Sequence, residues 1–153
     1  MIVQLLTSFF ASSAFGVLFN APKKLLIHCG IAGMSGWAVY YLLTTMGIDS
    51  VPASLAASFL VAIISHFFAK RFRTPVIIFI VGGIIPLVPG GTAYDAMRKF
   101  VENDYNMAIQ LSAKAFLISG AIVIGIVFSE VINQVIRKII IERNKTYNSG
   151  QTN

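Results

Sequence analysis

Five stretches of this chain are nearly free of Asp, Glu, Lys and Arg: Ile2 to Asn20, Leu25 to Ile48, Ser50 to Ala69, Thr74 to Tyr94, and Tyr105 to Ser129. Only Lys114 interrupts the last. A helix needs ~20 predominantly apolar residues to cross the hydrocarbon layer of a bilayer. Each stretch is near that length, and polar residues gather between the stretches instead of alternating within them. The pattern predicts an all-α integral membrane protein. Five transmembrane helices would form one domain over residues 1–143, followed by a polar tail over 144–153. The first stretch has no Lys or Arg before Lys23. It lacks the basic start of a secretory signal and reads as a helix of the protein itself.

Three starts repeat one device. Asn20-Ala-Pro22, Ser50-Val-Pro52 and Thr74-Pro75 each place a capping side chain just before a proline, a residue the first helical turn tolerates because its missing N–H would be unpaired there. Thr92 with Asp95 resembles a capping box. Tyr94, Met97, Val101 and Tyr105 recur at helical spacing, with Asp95, Arg98, Lys99 and Glu102 between them. A short amphipathic helix on the outer surface is the reading.

The fourth stretch breaks its own rule. It ends in "GGIIPLVPGGTAYDAM", Gly82 to Met97. From Pro75 to Ile85 there are about 11 residues, ~17 Å of helix, too short to cross a ~30 Å core. Pro86 cannot donate to the carbonyl of Gly82, nor Pro89 to that of Ile85. Gly90 and Gly91 permit backbone angles that other residues avoid. A broken fourth helix is expected. In lipid, freed carbonyls are tolerated only inside protein or along a wet cavity, and broken helices recur as substrate and ion sites in transporters. Gly82, Pro86, Pro89, Gly90, Gly91, Thr92 and Tyr94 are therefore the substrate-path candidates. A helix restarting near Thr92 would aim its N–H groups at the same region and favour a carboxylate. A kink that only shapes packing is the alternative.

Composition agrees with the membrane reading. The 153 residues are 56% hydrophobic and 12% charged, with mean hydropathy +0.78. A soluble domain carries about 25% charged residues, so this chain lacks the means to coat a globule. Of the basic residues, Lys23, Lys24, Lys70, Arg71, Arg73, Arg137, Lys138, Arg143 and Lys145 fall at one set of helix ends, and Arg98 and Lys99 at the other. The positive-inside rule then puts the N-terminus outside and the C-terminus in the cytoplasm. Basic residues that flank spans argue against nucleic acid as a partner. The lone Cys29 offers neither a disulfide nor a metal-ligand spacing; no metal or cofactor is expected.

Ionisable groups inside spans are functional candidates by default. His28, His66 and Glu130 each lie near the basic end of their helices, and histidine titrates near neutral pH, which suits proton coupling. Glu130 could instead pair with Arg137. Small residues at four-residue spacing, Ser54, Ser58 and Ala62 leading to His66, and Ala32 and Gly36 on the face of His28 and Tyr40, let helices approach closely. Plain helix packing is the first reading of these stripes; the alternative is that they orient both histidines toward a shared interior. Lys114 would snorkel outward. The "GMSG" of Gly33 to Gly36 matches the nucleophile motif of rhomboid-type intramembrane proteases, with His66 as base. However, Ser35 and His66 differ in depth by ~10 Å, beyond hydrogen-bond reach, so no enzyme is expected.

One run carries a family resemblance. "RFRTPVIIFIVGGIIPLVPGGTAYDAM", Arg71 to Met97, resembles the threonine/serine exporter family, whose small membrane half shows a basic residue before Thr-Pro, an apolar run, Ile-Pro-Leu-Val-Pro-Gly-Gly and a nearby Tyr. The resemblance implies the smaller subunit of a split exporter, with no soluble N-terminal region and no second half. A larger membrane subunit of the same family would be its partner in the cell inner membrane. A higher oligomer is compatible with it. The implied activity is ion-gradient-driven export of a small polar metabolite, a threonine- or serine-like amino acid or a small organic acid. The alternative is a non-transporting scaffold subunit of such a complex.

Overall fold

The structure, a computed structural model, describes residues 2–149, with side chains described through residue 139. The chain is helical throughout, and among the described residues there are no strands. Helix α1 spans Ile2–Leu18, α2 Leu26–Thr45, α3 Ser50–Phe72, α4 Ile77–Ile84, α5 Gly90–Val101 and α6 Tyr105–Ser149. Short 3-10 turns, Lys23–Leu25 and Ile85–Leu87, precede α2 and follow α4. Residues 150–153 of the expected tail, and the side chains of Arg143 and Lys145, lie outside the described residues.

Lys23–Thr45, Ser50–Phe72 and Tyr105–Ile139 are each long and apolar enough to cross a membrane. Ile77–Leu87 with Gly90–Val101 meets that requirement only as a pair, bent by 47°. Helix α1 is apolar but has 17 residues, the lower limit for a span. The expected count of five therefore becomes three helices, or four with the bent pair, plus short α1. This is a multi-pass membrane protein.

The helix ends are built differently from expectation. Asn20 does not start a helix. It adopts φ 54° just past α1, where the Ala21 N–H donates to the Gly16 carbonyl. This is a left-handed cap that satisfies last-turn carbonyls. Arg73, Gly47 and Asn103 also take positive φ, at 53°, 86° and 63°, after α3, α2 and α5. Neither Ser50 nor Thr74 caps: Asp49 precedes α3 without a side-chain cap, Val76 precedes α4, and the Thr74 hydroxyl is buried without a partner. Thr92 lies inside α5, which begins at Gly90 without a side-chain cap, so no capping box forms. Tyr105 begins α6 instead of continuing the amphipathic helix, because the chain turns at Asn103; Asp104 accepts the Met107 N–H at 3.2 Å.

Packing follows the small residues. With lipid as apolar as leucine, helices associate through close van der Waals contact, and small residues permit it. Helix α4 is wedged among α1, α2 and α3. A Cβ on Gly82 would stand 3.1 Å from the Cys29 Cβ, and one on Gly83 would stand 2.5 Å from Val61 Cγ1 and 3.3 Å from the Ala32 Cβ. Ala57, Val61, Leu87, Ile118 and Ile122 make the core where α3, the 3-10 turn and α6 meet. Helices α3 and α6 run parallel. Asp49 is level with Lys114 (Oδ1–Nζ 3.8 Å), Ser58 with Gly125, and His66 with Asn133. Lys114 thus reaches the loop before α3. Asp49's carboxyl is held below its usual range, chiefly by the Ser50 N–H and to a lesser degree by Lys114. The opposite side of α6 exposes Val123, Val127 and Val131, an apolar surface for lipid.

Candidate functional site

The interruption between α4 and α5 is local and complete. Pro86 follows the last turn of α4, and its ring packs over Gly33, whose Cβ position is 3.4 Å from Cγ. Val88 is extended, with φ −61° and ψ 128°. The Ile85 carbonyl, expected to be free, accepts the Val88 N–H at 3.3 Å, because the chain tightens into a 3-10 turn. Pro89 then precedes α5, and its carbonyl accepts the Ala93 N–H at 3.0 Å. Gly90 and Gly91 do not use the left-handed angles that glycine permits. They are the first helical residues of α5, exposed, and a Cβ on either would meet nothing within 4 Å. Their use here is openness, not backbone freedom.

That openness forms a groove. Between the start of α5 and α6 lies a cavity of about 440 Å³ lined by Val88, Pro89, Gly90, Ala93, Ser112 and Ser119, among others. The bend at the prolines turns α5 alongside α6, where Ala96 is buried. Of the seven candidates, Pro89 and Gly90 line the groove. Gly82 and Pro86 stand behind it, packed on α2; Gly91 and Thr92 do not line it, and Tyr94 is 67% exposed. Ser112 and Ser119 escaped the sequence reading. They are seven residues apart and so share a face of α6, and each hydroxyl donates to the carbonyl four residues back, Ala108 at 2.8 Å and Ala115 at 3.0 Å. Both oxygens keep acceptor capacity toward the groove. The signal was there, two serines at i and i+7 with Ala115 between, but it lay inside an apolar run. Ser12 was missed too: its hydroxyl is buried without a partner against Gly33, behind the break.

A second polar cluster joins α3 to α6 at the basic end. His66 Nε2 lies 3.0 Å from Glu130 Oε2. The carboxylate stands off the line of the ring N–H, so the contact is electrostatic and Nε2 has no aligned hydrogen bond. His66 Nδ1 is 3.2 Å from Asn133 Nδ2, and Gln134 Nε2 donates to Glu130 Oε1 at 2.9 Å. Beside them a cavity of about 260 Å³ is lined by Ile63, His66, Phe67, Lys70, Ser129 and Asn133. Glu130's partners are thus His66 and Gln134, not Arg137. Residues 130 and 133 lie on one helix face, whereas the longer reach to Arg137 competes with two nearer groups.

His28 is elsewhere. It packs edge-on against Phe68 and Phe72, ring centroids 5.1 and 4.4 Å away, with Nδ1 buried and unpartnered. Positions 66 and 68 are ~200° apart around a helix, so α3 shows His66 to α6 and the phenylalanines to His28. The shared interior, the alternative reading for the two histidines, does not form. Nor does a serine–histidine pair: the Ser35 hydroxyl donates to the Ala32 carbonyl at 2.7 Å, and His66 faces α6.

Residues 4–132 match the family model described as Threonine/Serine exporter, ThrE. A relative from Corynebacterium glutamicum named "Threonine/serine exporter" is 28% identical over 127 residues, which is 83% of this chain. The chain spans only 26% of that relative's length. No solved structure matches the chain.

Proposed function

The chain belongs to the threonine/serine exporter family, and from that premise we propose that it forms one membrane part of a two-component secondary transporter. Its substrate would be a small polar metabolite, a threonine- or serine-like amino acid or a small organic acid, moved out of the cell by an ion gradient. The groove carries the reading. A helix interrupted at Pro86 and Pro89 opens onto about 440 Å³ bounded by two serine hydroxyls and the start of α5. Helix starts favour anionic groups, and hydroxyl oxygens serve ammonium or hydroxyl groups, so the walls suit a small zwitterion or acid. The groove is open along one side, and another membrane component would close it. The relative is about four times the length matched here, in keeping with a larger partner subunit in the cell membrane. His66 and Glu130 are the coupling candidates; His28, held between phenylalanines, serves packing.

The orientation proposed places Arg98 outside and Lys70 in the cytoplasm. In intact cells an impermeant thiol reagent should modify Arg98→Cys and spare Lys70→Cys; the reverse pattern would invert the assignment. Native Cys29 is buried and should stay silent.

Reconstitution tests the function. Proteoliposomes holding the chain alone should release no loaded threonine or serine, and adding the larger subunit should start pH-gradient-driven release. Robust export by the chain alone would refute the two-component reading. Unchanged flux after replacing Pro89, Gly90, Ser112 and Ser119 would reduce the chain to a scaffold.

A further inference from the structure

Glu130 and Asn133 hold the two ring nitrogens of His66 from one face of α6. A carboxylate only accepts, and its Oε2 lies 3.0 Å from Nε2. The proton of the neutral ring therefore belongs on Nε2. Nδ1 is then bare and needs a donor, which the Asn133 amide supplies at 3.2 Å. If the ring takes a second proton, Nδ1 becomes a donor, and the amide must turn over to present Oδ1. Ser129 lines the same cavity with a hydroxyl that can donate or accept, but the group within hydrogen-bond distance of Nδ1 is Asn133. Gln134 is engaged with Glu130 at 2.9 Å, and Lys70 only donates.

We propose that His66, Glu130 and Asn133 form one proton-binding site in which Asn133 is the positioning residue, fixing the neutral ring as the Nε2–H tautomer and reversing its amide when the ring is charged. The step balances simply. Hydronium in the adjoining cavity of about 260 Å³ gives a proton to Nδ1 and leaves water, and Glu130 counters the charge gained. The facing groups are few. Glu130 comes from α6, and Lys70 lines the cavity from α3 itself. His28 of α2 lies on the far side of α3 beyond Phe68 and Phe72, and α4 brings no titratable side chain. Because α3 and α6 meet here through Asn133 and Glu130, proton occupancy is written into the contact between two parallel helices.

The inference deepens the coupling role proposed above and rests on that reading only for its purpose. Its test needs no transport, so the two can fail separately. The chain contains two histidines, and His28→Gln leaves His66 as the sole imidazole. Nitrogen-15 NMR of that full chain in lipid nanodiscs, at alkaline pH where the ring is neutral, reads the tautomer directly. The Nε2–H form should exceed the Nδ1–H form about tenfold, because the Nδ1–H form would set its N–H against the Asn133 amide donor and leave a bare Nε2 facing the carboxylate. Asn133→Asp, nearly the same shape, should bring the two forms to about even, since a carboxylate would then flank each nitrogen. A dominant Nδ1–H form, or a ratio unmoved by Asn133→Asp, would overturn the proposal.

Discussion

Gly125→Leu should drive α3 and α6 apart and leave the chain markedly less stable, while Gly120→Leu, little more than one turn away on the same helix, should be nearly silent. A Cβ at Gly125 would sit 2.7 Å from the Leu55 carbonyl oxygen and 3.1 Å from the Phe59 nitrogen, and against the Ser58 hydroxyl. Two of these are backbone atoms in the middle of a 23-residue helix and have no rotamer by which to yield. Overpacking a close contact costs ~1–3 kcal/mol and occasionally more. Leucine adds three carbons beyond the clashing Cβ, so a loss of at least ~3 kcal/mol is expected. At Gly120 nothing lies within 4 Å of the same atom, and an open surface site should change by no more than ~0.5 kcal/mol. Thermal unfolding in nanodiscs, followed by Trp37 fluorescence, checks the pair. Equal midpoints for the two variants would mean that α3 and α6 do not pack as described. The separation would also pull Glu130 and Asn133 from His66, so the same substitution should abolish pH-driven export.

This contact shows what a single sequence reveals. The apolar runs gave the helical class, and Arg71 to Met97 gave the family. Ser58 and His66 were placed on a close-packing stripe, and that stripe does face a helix. The partner stripe was missed, although Ala121, Gly125 and Ser129 repeat the same four-residue spacing on α6, because the β-branched residues around them make the run read as uniformly apolar. The interruption at Pro86 and Pro89 was legible because proline chemistry is local. The fate of the Ile85 carbonyl was not, since a 3-10 turn supplied the Val88 N–H as donor. Gly90 and Gly91 were assigned the wrong virtue: glycine permits unusual angles, but here it leaves room. Glu130 was drawn to Arg137 by charge. Only the parallel register of α3 and α6 brings His66 nearer, and register between distant segments is set by packing that periodicity does not encode.

The second large effect concerns the break itself. Replacing Pro86, Pro89 and Gly90 with alanine should join α4 to α5 as one helix. Each proline costs a helix interior ~3 kcal/mol in water, and less in lipid, where freed groups find other partners. Alanine removes that cost, restores the two missing N–H donors and fills the open position at Gly90. A continuous helix would lose the 47° bend that lays α5 along α6, and with it the wall that faces Ser112 and Ser119. Insertion should be normal, since the segment becomes more helical and no less apolar. The decisive measurement is efflux of labelled threonine, serine and small organic acids from proteoliposomes in which the triple variant Pro86→Ala/Pro89→Ala/Gly90→Ala is co-reconstituted with the larger subunit, with insertion and subunit capture scored in the same preparation. The break as substrate path predicts a subunit that inserts, assembles and exports at background rate; wild-type efflux from the assembled triple variant would contradict it and leave the break as a packing kink.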